Sequence, residues 1–272
     1  MCGIVGLFLK DKSLELRLGE MLTDMLVTMS DRGPDSAGIA IYKSPNSSYK
    51  KITLQSSNPT KDFKNLKTSL DKLIHQGLEI SIIDTHAIIN FETKYLEKVK
   101  ALLSDSFSCL KIMSIGDSIE IYKEVGSPET VANRFHLSKM IGSHGIGHTR
   151  MATESAVTTM GAHPFSTGND QCLVHNGSLS NHNSLRRKLI RNGIKFETDN
   201  DTEVAAAYLT FKMSEGYNLG DALEVGLNEL DGFYTFLVGT KSGFGVLRDP
   251  IACKPAVLAE TDQYVAFGSE YR

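Results

Sequence analysis

The chain opens with MCGIVGLF (residues 1–8), a cysteine directly behind the initiator methionine that leads into a short apolar run. Chain termini are usually polar and poorly ordered, whereas Gly3 to Leu9 is apolar almost throughout and predicts a fully buried strand. Methionine removal is expected before a small residue, and it would leave Cys2 with a free α-amino group, whose usual pKa is about 8. That amine could take the thiol proton and return it to a leaving amine, so one residue would supply nucleophile and base. Taken alone, Cys2 is better explained as an incidental terminal residue.

The composition predicts an ordinary globular protein. The chain has 272 residues, of which 41% are hydrophobic and 22% charged, with a net charge of −3. This charge gives no basic footprint for nucleic acid, and no apolar run approaches the roughly 20 residues of a membrane span. The opening apolar run is too short for a signal peptide and has no basic segment before it, so we expect a cytoplasmic protein.

The cysteines and histidines predict no metal site. The four cysteines lie far apart without a C-x-x-C pair and are expected to be free thiols, Cys109 and Cys172 as small core residues. His144 and His148 are four residues apart, a spacing that suits a metal only on a helix, and their stretch reads as a strand.

The pattern of elements predicts packed layers rather than a doubly wound parallel sheet. Strands gather at both ends of the chain and helices lie between them, the first helix carrying an apolar stripe over residues 14–29. Residues of about 50–140 form a separate small α/β module. Within it we predict one strand over 79–91, two strands around a Gly116–Asp117 turn, and a helix begun by Ser127 with Pro128 at its first position.

Several spaced motifs give the opening cysteine its meaning. In order they are MCGIVG (1–6), DRGPDSAG (31–38), GHTRMAT (147–153), AHPF (162–165), HNGSLSNH (175–182), NDTE (200–203), LRDP with the later KP (247–255), and FGSE (267–270). Together they resemble the class II glutamine amidotransferases, N-terminal-nucleophile hydrolases that release ammonia from glutamine. The resemblance covers roughly 1–42 and 145–272. It implies an α+β fold, a four-layer αββα sandwich over 2–272 that is interrupted by the module at about 50–140.

The resemblance assigns catalytic and substrate-binding roles to six residues. Cys2 is the nucleophile, and the Asn176 side-chain amide with the Gly177 N–H forms the oxyanion hole. Arg150 and Thr153 bind the α-carboxylate of glutamine, the arginine through a two-pronged contact that a lysine cannot reproduce. Asp201 binds the α-ammonium.

Two of these assignments have structural alternatives. Asn176 and Gly177 could form a hairpin turn. Asp201 could cap a helix, and Asp199 lies close enough to exchange roles with it.

Three further residues are expected to support the site. By the resemblance, Arg32 lies near the nucleophile and braces it. Met151 stands where several family members have an aromatic residue, so signalling from an acceptor domain could differ here. His175 flanks Asn176 and does not decide between the oxyanion hole and the turn.

The chain shows no sign of a synthase that would consume the ammonia. It lacks sugar-isomerase domains, a phosphoribosyltransferase motif, an ATP-using synthetase domain and a flavin barrel. It looks most like the glutaminase subunit of N-methylglutamate synthase or a split glutamate synthase. That resemblance implies no cofactor in this chain, partner subunits that carry FMN and iron–sulfur centres, and a docking role for the module. Two alternatives stay open, a glutamine-binding regulatory or scaffold subunit without turnover, and an amide hydrolase of the same fold with another substrate.

Overall fold

A computed structural model of the chain describes residues 2–152 and 156–272. Its strands and helices follow in chain order: β1 (Gly3–Leu9), α1 (Leu18–Thr28), β2 (Ser36–Tyr42), β3 (Tyr49–Gln55), α2 (Pro59–Leu73), β4 (Glu79–Ile83), β5 (His86–Glu92), α3 (Leu96–Ser106), β6 (Lys111–Gly116), β7 (Ile119–Val125), α4 (Pro128–Arg134), β8 (His144–Arg150), β9 (Phe165–Gly168), β10 (Gln171–Leu179), α5 (His182–Arg191), α6 (Asp201–Ser214), α7 (Leu219–Glu229), β11 (Gly232–Thr240), β12 (Gly243–Arg248), β13 (Val257–Glu260) and β14 (Tyr264–Gly268). No helix in these two ranges is both long and apolar enough to cross a bilayer.

The larger sheet brings the start of the chain to the end of β8. Its strands are ordered β13-β14-β1-β8-β2-β7 and every neighbouring pair is antiparallel. Gly3 lies opposite Thr149, and Ser36 lies opposite Arg150. Because β1 runs against β8, the strand that begins just after Cys2 starts where β8 ends.

A smaller sheet, ordered β12-β11-β10-β9, packs face to face with the larger one. Alternate residues of a strand face opposite sides, so β1 and β10 each contribute one row to the interior between the sheets. Ile4 and Ile146 from the larger sheet meet Val174 and Leu237 from the smaller one, and all four are fully buried. This apolar layer holds the two sheets in register.

Helices cover the outer face of each sheet. Leu22 and Leu26 of α1 pack on Val5 and Leu7, the residues of β1 that point away from the interior. Helices α5, α6 and α7 cover the smaller sheet in the same way. The predicted four-layer αββα N-terminal-nucleophile sandwich is therefore confirmed.

A third sheet, ordered β4-β5-β3-β6, lies between β2 and β7 in the chain and has a core of its own with α2 and α3. This sheet spans residues 49–116 only. The module was predicted at about 50–140. Strand β7 pairs with β2, and α4 packs on the larger sheet, so residues 119–134 belong with the larger sheet and not with this third sheet. The reason is the apolar alternation of β7, which completes the edge of the larger sheet.

One local prediction in this region is wrong. The stretch predicted as one strand over 79–91 is the hairpin β4–β5, because Asp84 adopts a left-handed conformation with φ of 53° and reverses the chain. Strands β6 and β7 flank Gly116–Asp117 as expected but belong to different sheets. Here the Asp170 carboxylate accepts hydrogen bonds from the backbone N–H groups of residues 117, 118 and 119.

The helix start at Ser127 is confirmed. Its side chain accepts a hydrogen bond from the Thr130 N–H at 3.2 Å, and Pro128 occupies the first turn. Cys172 is buried as predicted, whereas Cys109 is exposed because its apolar stretch ends in a turn before β6.

Candidate active site

The cysteine at the start of β1 is held by two side chains from different parts of the chain. The Cys2 carbonyl accepts a hydrogen bond from Asn176 Nδ2 at 3.1 Å and another from Arg32 Nε at 3.1 Å. Its thiol is partly exposed and lies 4.0 Å from the Met151 carbonyl oxygen. The backbone of this residue is therefore fixed while its sulfur stays accessible.

Arg32 is in turn anchored at the far end of the chain. Its Nη1 donates to the Glu270 carboxylate at 2.9 Å, and the arginine side chain is only 10% exposed. A second hydrogen bond joins the same two ends of the chain, because the Ser269 hydroxyl accepts from the Ile4 N–H at 3.0 Å. Arg32 thus lies against Cys2, in the position that the family resemblance implies.

Asn176 and Gly177 lie inside strand β10, opposite Thr235 and Tyr234 of β11. The hairpin-turn alternative is therefore wrong. One N–H of the Asn176 amide is used by the Cys2 carbonyl, and the amide group has a second N–H to offer. Gly177 is exposed beside it, at the point where β9 no longer covers the edge of β10.

Gly177 has a conformation that only glycine adopts readily. Its φ is +136°, and a Cβ there would lie 2.0 Å from the backbone oxygen of Phe233. A side chain at this position would force β10 and β11 apart. The glycine is thus needed both for the backbone angle and for the close approach of the neighbouring strand.

Arg150 ends β8 with its side chain almost completely buried, at 6% exposure. Its Nη1 donates to the Ala156 carbonyl at 3.4 Å. Asp35 fixes the following backbone, because its carboxylate accepts from the Ala152 N–H at 2.8 Å and its own N–H donates to the Arg150 carbonyl. Thr153, the predicted partner of Arg150, lies outside the described residues, and Met151 is 37% exposed.

Asp201 lies in the first turn of α6, but it does not cap that helix. Asn200 is the capping residue, and its side chain accepts from the Thr202 N–H at 2.8 Å. The Asp201 carboxylate instead accepts from the Leu179 N–H at 2.9 Å, at the end of β10. The capping alternative is therefore wrong, and Asp199, the other candidate, is exposed.

The electrostatics keep Asp201 ionised. Burial acts to raise the pKa of this carboxyl, but His175 and the Leu179 N–H stabilise the charged form more strongly and lower the pKa to about 2. His175 Nδ1 lies 3.6 Å from Asp201 Oδ1. A partly accessible carboxylate that stays charged is a suitable partner for an ammonium group.

Behind Asn176 and Asp201 lies a buried polar cluster of which sequence reasoning named only His175 as a site residue. It consists of His148, His163, His175 and Thr202, all less than 6% exposed. Burial lowers the pKa of His148 to about 3 and that of His163 well below its usual value. His163 was visible in the AHPF motif, but no local signal connects it to Thr202, which is 39 residues away.

A buried lysine holds the segment that carries His163. Lys123 Nζ donates to the carbonyl groups of Met160, Ala162 and Pro164 at 3.3, 2.7 and 3.1 Å. Burial lowers the pKa of this ammonium to about 7, although the charge of Glu203 acts in the opposite direction. The lysine lies on β7, so the larger sheet positions the segment between β8 and β9.

The arrangement is suited to attack on a carbonyl. Within 2–152 and 156–272, no cluster of three or more histidine, cysteine, aspartate or glutamate residues is arranged to hold a metal ion. A partly exposed cysteine is held by the Asn176 amide, and Gly177 follows that asparagine in β10. A thiol, an amide donor and a backbone N–H are the components of nucleophilic attack with oxyanion stabilisation.

Comparisons with known proteins identify the family of this chain. A family model described as a glutamine amidotransferase domain matches residues 148–272. The glutamine amidotransferase-like protein GlxB of Rhizobium meliloti (strain 1021) is 64% identical over 272 residues, which cover this whole chain and 90% of that protein. A putative glutamine amidotransferase of Methanothermobacter thermautotrophicus is 35% identical and is matched over 99% of this chain and 92% of its own length.

A solved structure supports the fold. Glutamine phosphoribosylpyrophosphate amidotransferase from B. subtilis superposes with a TM-score of 0.59 at 20% identity. The match covers 99% of this chain but only 42% of that enzyme. The sandwich is thus the fold of the N-terminal-nucleophile amidotransferases, and the relatives matched along nearly their full length show that this chain belongs to the glutamine amidotransferase family of enzymes.

Proposed function

We propose that this chain is a glutaminase subunit that hydrolyses L-glutamine to glutamate and ammonia through a thioester on Cys2. The observation that carries the proposal is the convergence of Asn176 and Arg32 on the Cys2 carbonyl. These contacts hold the Cys2 backbone against Asn176, and the next residue, Gly177, is exposed at the edge of β10 that β9 does not cover.

The reaction follows from the chemistry of these groups. The Cys2 amine accepts the thiol proton, and the thiolate attacks the side-chain amide carbon of glutamine. The second N–H of Asn176 and the N–H of Gly177 stabilise the oxyanion. The Cys2 ammonium then protonates the departing nitrogen, which leaves as ammonia, and water hydrolyses the thioester with the same amine as base.

Substrate binding uses the opposite charges of glutamine. Arg150 and Thr153 bind the α-carboxylate, and Asp201 binds the α-ammonium. Gly177 and Ser178 are exposed in the stretch of β10 between Asn176 and Leu179, whose N–H fixes Asp201. Glutamine therefore has an open strand edge along which to lie, with its amide at one end and its ammonium at the other.

We propose further that the ammonia passes to a partner synthase subunit of the N-methylglutamate or split glutamate synthase type. In this proposal the partners carry FMN and iron–sulfur centres, this chain carries no cofactor, and the complex is cytoplasmic. The match covers 90% and 92% of the length of the two relatives described above, which leaves those proteins little chain for an acceptor domain of their own. Labelled glutamine supplied with excess unlabelled ammonium tests the transfer, because direct delivery keeps the label in the product.

Ammonia release from glutamine by the purified full chain tests the glutaminase proposal. Cys2→Ala should abolish release and keep the fold, whereas Cys253→Ala, which removes another free and exposed thiol, should leave the rate unchanged. A wild-type chain that binds glutamine without turnover would favour the regulatory alternative. Undiminished release by Cys2→Ala would contradict the mechanism.

A further inference from the structure

The buried cluster behind the site converges on a single hydroxyl group. Thr202 Oγ1 lies 2.6 Å from His163 Nε2, 3.1 Å from His175 Nδ1 and 3.4 Å from Asp201 Oδ1. Thr202 is 1% exposed, so no bulk solvent competes for these contacts. The same side chain therefore touches two imidazole rings and one carboxylate.

Proton counting fixes the direction of all three hydrogen bonds. An ionised carboxylate only accepts, so the single hydroxyl proton of Thr202 goes to Asp201. The two lone pairs of the hydroxyl then accept one N–H from each histidine, His163 through Nε2 and His175 through Nδ1. Every donor and acceptor position of the hydroxyl is filled.

The remaining ring nitrogens agree with this count. His163 Nδ1 and His175 Nε2 are buried and have no hydrogen-bond partner within the described residues. In each ring the nitrogen that donates is therefore the one that faces Thr202. His148 repeats the pattern, since its Nε2 donates to the His175 carbonyl at 2.9 Å and its buried Nδ1 has no partner in the same part of the chain.

A threonine hydroxyl rotates freely unless its neighbours restrict it. Here the two ring N–H groups occupy both acceptor positions, so the proton has one direction left, toward Asp201 Oδ1. The Leu179 N–H holds the other oxygen, Oδ2, at 2.9 Å. Each oxygen of the carboxylate thus has one fixed donor, which sets the orientation of the group.

We propose that Thr202 is a positioning residue, whose hydroxyl is oriented by His163 and His175 and holds the Asp201 carboxylate in place for the α-ammonium of the substrate. This inference rests on the proposed glutaminase function. It concerns recognition of the ammonium end of the substrate, and it assigns no part in the attack on the amide.

The test compares two substrates in the full-length chain. Glutaric acid monoamide is glutamine without its α-ammonium group, so only glutamine uses Asp201. Thr202→Val removes the hydroxyl at nearly constant shape, and the ratio of kcat/KM for glutamine to that for the monoamide should fall about tenfold or more, the loss expected for one hydrogen bond to a charged group. The glutamine value should fall through KM, while the monoamide value changes little.

Matched variants separate positioning from stability. Thr202→Ser keeps the hydroxyl and should restore the wild-type ratio. Thr53→Val removes a buried threonine hydroxyl in the module, one that accepts from Ser114 at 3.1 Å, and should leave the ratio unchanged. If Thr202→Val does not fold, Thr202→Ala, which leaves room for water, should show the same loss of preference.

The possible failures can be told apart. A wild-type chain that releases ammonia from neither substrate contradicts the proposed function itself. A wild-type chain with normal glutaminase activity whose Thr202→Val variant loses both substrates equally, or loses neither, overturns the positioning role alone.

Discussion

Gly177→Ala should lower kcat by more than its loss of folding stability accounts for. The new Cβ would lie 2.0 Å from the Phe233 carbonyl oxygen and 2.8 Å from the Tyr234 Cα, so β10 must shift by about 1 Å to reach an allowed contact of roughly 3 Å. The φ of +136° adds backbone strain for any residue with a side chain. Together these effects should lower the free energy of unfolding by about 3 kcal/mol.

The shift also displaces the Gly177 N–H and the adjoining Asn176 amide. Loss of one fixed oxyanion donor typically lowers kcat by about 10²- to 10³-fold, and we expect a loss in that range. Steady-state ammonia release gives kcat, and urea unfolding followed by circular dichroism gives the stability. A folded Gly177→Ala variant with wild-type kcat would refute the oxyanion-hole assignment.

Gly193→Ala is the matched control. Gly193 also has a positive φ, +85°, but a Cβ there would have no atom within 4 Å. The control should lose about 1 kcal/mol of unfolding free energy from backbone strain and keep its kcat. Comparing the two variants separates the loss of stability caused by the positive φ from the loss of kcat caused by displacement of the Gly177 N–H.

Two more predictions concern charge. Asp201→Asn should raise the KM for glutamine about 10- to 100-fold, because it removes a charged partner of the α-ammonium. The control Asp199→Asn changes an exposed carboxylate and should leave KM unchanged. Equal effects of the two variants in steady-state kinetics would contradict the assignment of Asp201. Burial lowers the pKa values of His148 and His163 in the folded chain, whereas in the unfolded chain both rings have the ordinary histidine pKa of about 6.5. As the pH falls below 6.5, the unfolded chain therefore binds protons that the folded chain does not, and the protein becomes less stable. The stability that these rings contribute is complete above pH 6.5 and is lost as the pH falls toward the pKa values of the folded chain. Because one proton corresponds to about 1.4 kcal/mol per pH unit, these two rings should lower the free energy of unfolding by up to about 2.7 kcal/mol per pH unit between pH 6 and 4. A slope below one proton in urea unfolding would contradict the buried neutral state of the two rings.

The fold could be predicted from the sequence where the pattern was local. The run Gly3–Leu9 is apolar on both faces, and it is buried between α1 and the second sheet as that pattern requires. The run over 79–91 was wrongly predicted as one strand, because its isoleucines continue on both sides of Asp84. The turn between β4 and β5 depends on the positive φ of that one residue. Helix α2 was not predicted, although Phe63, Leu66 and Leu70 lie at helical spacing on its buried face.

The site was less accessible to sequence reasoning where it depends on tertiary contacts. The sequence allowed Asp201 either to cap α6 or to bind the α-ammonium of the substrate. The capping role was ruled out only by the finding that Asn200 occupies the capping position. Nothing local in the chain connects His163 with Thr202, because their contact depends on the packing of the 160–164 segment against α6. Likewise, the turn alternative for Asn176 disappears only when β11 is seen to pair along the whole stretch.

Peptide mass spectrometry of the full chain, acid-quenched during turnover with glutamine, tests the central claim most directly. The account predicts an N-terminal peptide that begins at Cys2 with a free amine and carries a glutamyl group on its sulfur. Ammonia release by a chain that keeps Met1, or a glutamyl group found on any other residue, would contradict it.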